Sequence, residues 1–235
     1  MIRPKKRQTG LFLTFEGPDG SGKTTQSQKL LGRLLEAGYD AVWTREPGGT
    51  RLGEVLRELM LDNDPELGEV SPRVEAMLLS AARAHHIDDL IRPSLDAGKI
   101  VVCDRFVDST IAYQGGGSKL DIDALRRINH FAASGLVPDL VVLVDIPAAD
   151  GIARRLRLVA GDPEALSRME KRGLGFHNRV RRQFLNSAAR APNRWLSLDG
   201  REPEQTLSDT IWRRVEEELQ ARSVEPVGTQ PGRLF

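Results

Sequence analysis

The run Gly17-Pro-Asp-Gly-Ser-Gly-Lys-Thr24 carries glycine, lysine and threonine at every fixed position of G-x-x-x-x-G-K-[ST]. Such a loop turns backbone N–H groups inward around a phosphate, and the helix behind it adds a favourable potential for an anion. Gly17, Pro18, Asp19, Gly20, Ser21 and Gly22 would form the cradle, with Thr25 just behind. Lys23 can reach the β- and γ-phosphates, and the Thr24 hydroxyl can serve Mg2+. The chemistry is nucleoside triphosphate binding. The loop alone leaves the reaction open.

These residues need a strand before them and a helix after them. Residues 11–15 (LFLTF) read as a buried strand, and 24–37 as a helix stopped by Gly38. Further short apolar runs at 41–44, 100–103, 140–144 and 195–198 read as strands. Segments 52–61, 122–134, 174–189 and 202–222 read as helices. After Pro72 a long helix is expected. Val74, Met77, Leu78 and Ala81 fall at i, i+3, i+4, i+7, and Ile87, Leu90 and Ile91 repeat the pattern until Pro93 breaks it. Uniformly apolar strands alternating with helices predict an α/β fold, a parallel sheet covered on both faces. Ligands of such sheets bind beyond the carboxyl ends of the strands. That marks residues 17–25, 45–49, 104–106 and Asp145.

A chain of 235 residues suits one domain. With 40% apolar and 29% charged residues it is an ordinary globular chain, not a disordered one. Its 34 basic and 33 acidic residues leave a net charge of +1, so no nucleic-acid partner is expected. No apolar run reaches the ~18–20 residues that span a bilayer, so no membrane partner is expected. Residues 1–9 read as a basic solvated tail and 223–235 as a loose tail. The single cysteine, Cys103, excludes a disulfide framework and multi-cysteine zinc sites; it fits a reducing, cytoplasmic setting. His85, His86, His130 and His177 show no metal-ligand spacing, and regions 179–182 and 213–218 read as solvated helix faces.

Three segments then narrow the reading: Phe15-Glu-Gly-Pro-Asp-Gly-Ser-Gly-Lys-Thr-Thr25, Thr44-Arg-Glu-Pro-Gly-Gly-Thr50 and Asp104-Arg-Phe-Val-Asp-Ser-Thr-Ile-Ala-Tyr-Gln114. With Ala81-Ala-Arg83 and Pro138-Asp139, their order and spacing resemble the thymidylate kinases over most of residues 11–200. The resemblance implies a five-stranded parallel sheet with helices on both faces, the P-loop nucleoside monophosphate kinase fold. It implies one domain over 10–222 with a short helical lid at 151–173. It also implies a homodimer that moves the γ-phosphate of ATP to dTMP, with Mg2+, giving dTDP for dTTP synthesis.

An acceptor that is already a phosphate needs no strong base. Two anions must be brought together in line and their charge neutralised. By the resemblance, Arg105 binds the acceptor phosphate; a plain ion pair is the ordinary alternative. Asp104 would orient Mg2+-bound water or cap the next helix. Asp19 would lie near the acceptor 3′-hydroxyl or simply form a turn. Arg45 and Pro47 would shape the acceptor pocket through a sharp turn with a cis Glu46–Pro47 bond. Arg83, Ser109, Thr110, Tyr113 and Gln114 would line the acceptor, with Tyr113 excluding a ribose hydroxyl. Leu79 stands where the family commonly has Phe. It trades stacking, worth on the order of 1–3 kcal/mol per base, for apolar contact.

No Arg or Lys occupies residues 18–21, so the chain resembles the branch with catalytic arginines in the lid. Arg154, Arg155, Arg157, Arg168, Lys171 and Arg172 are the candidates, Arg155 and Arg168 foremost. The lid reads Ser167-Arg-Met-Glu170 where the family often has Asp-Arg-x-Glu. Two other readings stay open: a kinase for another monophosphate or a nucleoside, and an ATP-binding protein without transferase activity.

Overall fold

Every strand-length run becomes a strand, and each continues one residue past its apolar stretch. The computed structural model describes residues 10–61, 68 and 70–226. In it β1 (Leu11–Glu16), β2 (Ala41–Arg45), β3 (Ile100–Asp104), β4 (Leu140–Asp145) and β5 (Trp195–Asp199) pair in parallel, in the order β2-β3-β1-β4-β5. The apolar runs stop at Phe15, Thr44, Cys103, Val144 and Leu198. Pairing uses only the backbone, so Arg45 still pairs with Asp104 and Asp145 with Asp199. Of these polar ends, Arg45 and Asp104 line a cavity.

Alternation along β1 divides the core. Leu11, Leu13 and Phe15 pack with Leu30 and Leu34 of α1 (Lys23–Glu36) and with Ile211 and Val215 of α9 (Glu204–Arg222). Phe12 points the other way, toward Ile87, Ile91 and Leu95. Val141 and Leu143 of β4 meet Phe176, Val180 and Phe184 of α8 (Leu174–Arg190). Helices thus cover both faces, as expected. The remainder are α2 (Arg51–Leu61), α3 (Pro72–His86), α4 (Arg92–Asp96), α5 (Val107–Thr110), α6 (Ile122–Ala132) and α7 (Ala148–Leu158). Among the described residues no helix is long and apolar enough to cross a membrane. Cys103 is a buried core thiol.

The helix after Pro72 corrects the periodicity reading. Val74 and Met77 are 41% and 54% exposed, and the buried side of α3 carries Glu75, Ser80, Arg83 and His86. This side faces a polar cavity rather than the sheet, so the apolar stripe points outward. A wider π-helical turn at Ile87–Ile91 then shifts the phase and returns Ile87 and Ile91 to the core. Residues 179–182 are not a solvated face either. Arg179 donates to Gly117 O at 2.7 Å, and Arg181 forks onto Asp145 with two bonds of 2.8 Å. They bond there because α8 packs beside the π-helical stretch Ile111–Gly117 and the end of β4. At the C-terminus Val224 packs on the core, so the chain is held beyond residue 222; residues 1–9 and 227–235 lie outside the described residues.

The phosphate loop rests on the first turn of α7. A Cβ on Gly151 would lie 2.3 Å from Asp19 O, and one on Gly20 would lie 2.2 Å from Gly151 O. Two backbones touch here with no room for a side chain. Gly151→Ala is expected to cost about 1–3 kcal/mol of stability and to weaken nucleotide affinity, because the loop must move. A melting curve and a nucleotide titration check both; unchanged affinity would mean that the loop is not braced here.

Candidate active site

Gly20 and Gly22, at φ 74° and 96°, curl the loop between β1 and α1 in the left-handed region that glycine enters freely. Lys23 is buried and donates to Pro18 O at 3.3 Å. Burial, then the Arg105 charge, pulls its pKa down to about 8. A triphosphate in the loop would oppose both effects. Thr24 Oγ1 donates to Asp104 Oδ2, while Asp104 Oδ1 is buried with no hydrogen-bond partner. Asp104 does not cap α5; Phe106 takes that place, without a side-chain bond. A hydroxyl beside a carboxylate oxygen in want of a partner is a donor set that fits Mg2+, held directly or through water.

Arg105 follows β3 at φ 71°, a strained conformation for a residue with a side chain. Several bonds hold it there. Its backbone N donates to Phe15 O at 2.9 Å. Its Nη1 donates to Gly17 O at 3.1 Å and Ser109 Oγ at 3.0 Å, and its Nη2 to Asp19 Oδ1 at 2.6 Å and Tyr113 Oη at 3.1 Å. Behind it Glu16, fully buried, accepts from Phe106 N at 2.8 Å and Ser109 Oγ at 2.5 Å. Burial, then the Asp108 charge, pushes Glu16 up to about 8. Burial also opposes charge on Asp19, but Arg105 and Lys23 outweigh it and hold that carboxyl below its usual range. Burial disfavours the Arg105 cation, yet Tyr113, Asp19, Asp104 and Glu16 outweigh it, so its pKa is raised. The pair at this spot is ionised on both sides.

Two cavities meet at that pair. One, about 670 Å³, is lined by Lys23, Thr24, Asp104, Arg154, Arg155 and Arg157 among others. The second, about 460 Å³, is lined by Pro47, Leu79, Arg83, Ser109, Thr110, Tyr113 and Gln114. Asp19, Arg105, Arg57 and Arg155 line both. The first carries Lys23 and several arginines, a lining that suits phosphates. The second mixes apolar residues such as Pro47, Met60 and Leu79 with polar ones, of which Arg83, Thr110 and Gln114 lie at the end away from the first; this is the make-up of a small-molecule site.

At that far end Arg83 is spent largely on the protein. Its Nε donates to Glu46 Oε2 at 2.8 Å, its Nη1 to Asn129 Oδ1 at 2.6 Å, and its Nη2 to Phe106 O and Thr110 Oγ1. A guanidinium has five N–H groups, so one on Nη1 stays available to a ligand carbonyl. Gln114 Nε2 is held by Glu75, and Gln114 Oε1 is buried without a partner. That oxygen suits the N–H of a base. The Glu46–Pro47 bond is cis, as the resemblance implies. Arg45 departs from its expected place: it donates to Glu54 Oε2 at 2.9 Å and lines the phosphate cavity, not the acceptor cavity.

The lid arginines divide. Arg155 pairs with Glu170 and stands where the cavities meet. Arg154 donates to Gly200 O at 2.9 Å. Arg168 does not join them; it donates to Met60 O at 2.8 Å and lies 3.5 Å from Glu75 Oε1. Several site residues escaped the sequence reading: Glu16, Arg57, Glu75, His86, Asn129 and Glu170. His86 is fully buried, with Nε2 2.6 Å from Thr44 Oγ1 and Nδ1 3.2 Å from Glu46 Oε1. Glu16 and Glu170 stood inside the quoted segments; the others carry no motif, and only their placement marks them.

A sequence model of the family described as Thymidylate kinase matches residues 15–211. The chain belongs to the thymidylate kinase family. It is similar to the thymidylate kinase of Thermomicrobium roseum, 47% identical over 206 residues that make up 88% of this chain and 94% of the relative. The thymidylate kinase of Deinococcus radiodurans is 46% identical over 208 residues, 88% of this chain and 97% of that one. Among solved structures, thymidylate kinase from Ehrlichia chaffeensis matches with a TM-score of 0.68 and 32% identity, over 88% of this chain and 98% of that chain. The residues matched by the family model, 15–211, span the P-loop, the 44–50 turn and the 104–114 segment, and residues of all three line the two joined cavities.

Arg105 is one of three cations, with Arg57 and Arg155, that line both cavities of this thymidylate kinase family member. Arg105→Lys keeps the charge but loses the fork that spans Gly17 O, Ser109, Asp19 and Tyr113. Phosphotransfer is expected to fall about 100-fold, with the KM for the nucleoside triphosphate little changed. Steady-state kinetics in both substrates would check this, and near-normal turnover would reduce Arg105 to a plain charge.

Proposed function

We propose that this chain transfers the γ-phosphoryl group of ATP to the phosphate of dTMP, giving dTDP for dTTP synthesis. The observation that carries the reading is the junction of the two cavities at Asp19, Arg105 and Arg155. The donor triphosphate lies in the loop, with Lys23 at its β- and γ-phosphates. The acceptor phosphate sits on Arg105, already ionised and in need of no base. Arg155 reaches the transferring group from the lid and offsets the charge that develops there. Thr24 and Asp104 would hold Mg2+, which when bound adds charge neutralisation at the phosphates. At the far end Gln114 Oε1 accepts from thymine N3–H, and the remaining Arg83 N–H meets a thymine carbonyl. Tyr113 closes the space beside C2′ and favours a deoxyribose. The closed lid keeps water from the γ-phosphate. A cytoplasmic setting belongs to the same reading.

The test is ADP release from Mg-ATP with dTMP, dUMP, dCMP, dGMP and AMP as separate acceptors. Strong turnover with dTMP, weaker turnover with dUMP and loss of both in Arg105→Ala are expected. Turnover with another monophosphate would move the substrate and point to Leu79, which lines the acceptor cavity without an aromatic ring. ATP binding with no acceptor-dependent turnover would sink the kinase reading.

The homodimer belongs to this proposal too. Leu52, Val55 and Leu59 on α2, and Val74 and Met77 on α3, are exposed on neighbouring helices. Exposed apolar residues on two helices that pack together suit a second copy of the chain. Light scattering should give twice the chain mass for the wild type and the single mass for Met77→Asp. A monomeric wild type would refute it.

A further inference from the structure

Glu75 is a carboxylate to which the proposed reaction gives no task. It lies on the inward side of α3 and is 1% exposed. Its two oxygens face two different parts of the molecule. Glu75 Oε2 accepts from Gln114 Nε2 at 3.2 Å, and Gln114 belongs to the acceptor wall. Glu75 Oε1 accepts from Arg172 Nη2 at 2.8 Å and lies 3.5 Å from Arg168 Nη2. Both arginines belong to the lid segment between α7 and α8. Among the described residues, these two are its ion-pair partners.

A carboxylate buried this deeply needs partners to replace the water it has lost. Here the cations arrive with the lid. Arg168 also donates to Met60 O, and Arg172 to Ser118 Oγ at 2.7 Å, so the lid is pinned on either side of the carboxylate. The same lid carries Leu166 and Met169, which line the acceptor cavity. Its Glu170 accepts from Ser167 and pairs with Arg155, which stands where the cavities meet. One carboxylate therefore joins the group that faces the acceptor base to the segment that positions Arg155.

We propose that Glu75 is a positioning residue that couples acceptor recognition to lid docking. With the acceptor bound, Gln114 is held with Oε1 toward the base and Nε2 toward Glu75. This fixes the carboxylate where Arg168 and Arg172 meet it. The docked lid then sets Arg155 at the donor. Without the acceptor the latch is weaker and the lid samples undocked positions. The two substrates should accordingly tighten each other's binding, and by linkage to the same degree. Arg168 acts in this latch and not at the transferring phosphate. The inference rests on the kinase reading given above.

The test measures the affinity of a non-hydrolysable ATP analogue, with Mg2+, in the absence and presence of saturating dTMP. In the wild type dTMP is expected to tighten the analogue about tenfold. In Glu75→Gln that factor should fall toward one, while the analogue's affinity without dTMP changes little. Arg172→Met removes the partner from the half-buried lid side and should lose the same coupling, which guards against a Glu75 variant that fails to fold. The double variant should be no worse than either single one. ATP hydrolysis without acceptor, taken relative to transfer, should rise in both single variants. Coupling that stays at the wild-type factor in both variants would overturn the proposal. So would a wild type with acceptor-dependent turnover but no coupling, and that result would leave the kinase reading intact. A wild type with no acceptor-dependent turnover would overturn the kinase reading itself.

Discussion

Two phosphate-bearing molecules repel each other, so a cation must be fixed between them before either arrives. Arg105 stands where the two cavities meet, and much of the surrounding structure holds it there. Its backbone sits at φ 71°, a conformation that costs on the order of 1–3 kcal/mol for a residue with a Cβ. It persists because Phe15 O, Gly17 O, Ser109, Asp19 and Tyr113 all take hydrogen bonds from it. The strained geometry aims the guanidinium at the gap between the phosphate loop and the acceptor wall. Glu16 secures the arrangement from behind through Phe106 N and Ser109. Preorganisation of this kind avoids the rearrangement that a mobile side chain would need during the reaction.

The sheet makes that geometry possible. β1 and β3 are neighbours at its centre, and their register places Phe15 opposite Asp104. The phosphate loop and the Asp104–Arg105 step therefore leave the sheet side by side. The order β2-β3-β1-β4-β5 adds the 46–49 turn on one flank and α7 on the other. Side chains that are far apart in the chain, Thr24 and Asp104 or Asp19 and Arg105, touch for that reason.

Much of this was legible in the sequence. The phosphate loop, the strand ends and the 104–114 segment are local patterns, and local patterns read well. The polar side of α3 was not legible. Periodicity marks where apolar residues lie, and on α3 they lie outward because the inward side lines a polar cavity. Glu75, Arg83 and His86 are buried there only because Gln114, Glu46, Thr44 and the lid arginines supply their partners. The lid was legible as a cluster of cations and no further. Arg155 and Arg168 looked equivalent; only their packing separates one at the junction from one at Glu75.

The sequence by itself determined the loop chemistry, the parallel sheet and the family, because each rests on residue types at fixed short spacings. Tertiary structure decided the pairings: that Asp104 meets Thr24 and leaves an oxygen free, that Arg45 turns to Glu54, and that Glu75 joins lid to acceptor wall. The physical reason is common to all three. A charged side chain settles where burial leaves it a partner, and that partner comes from a distant part of the chain that only the packed fold brings near.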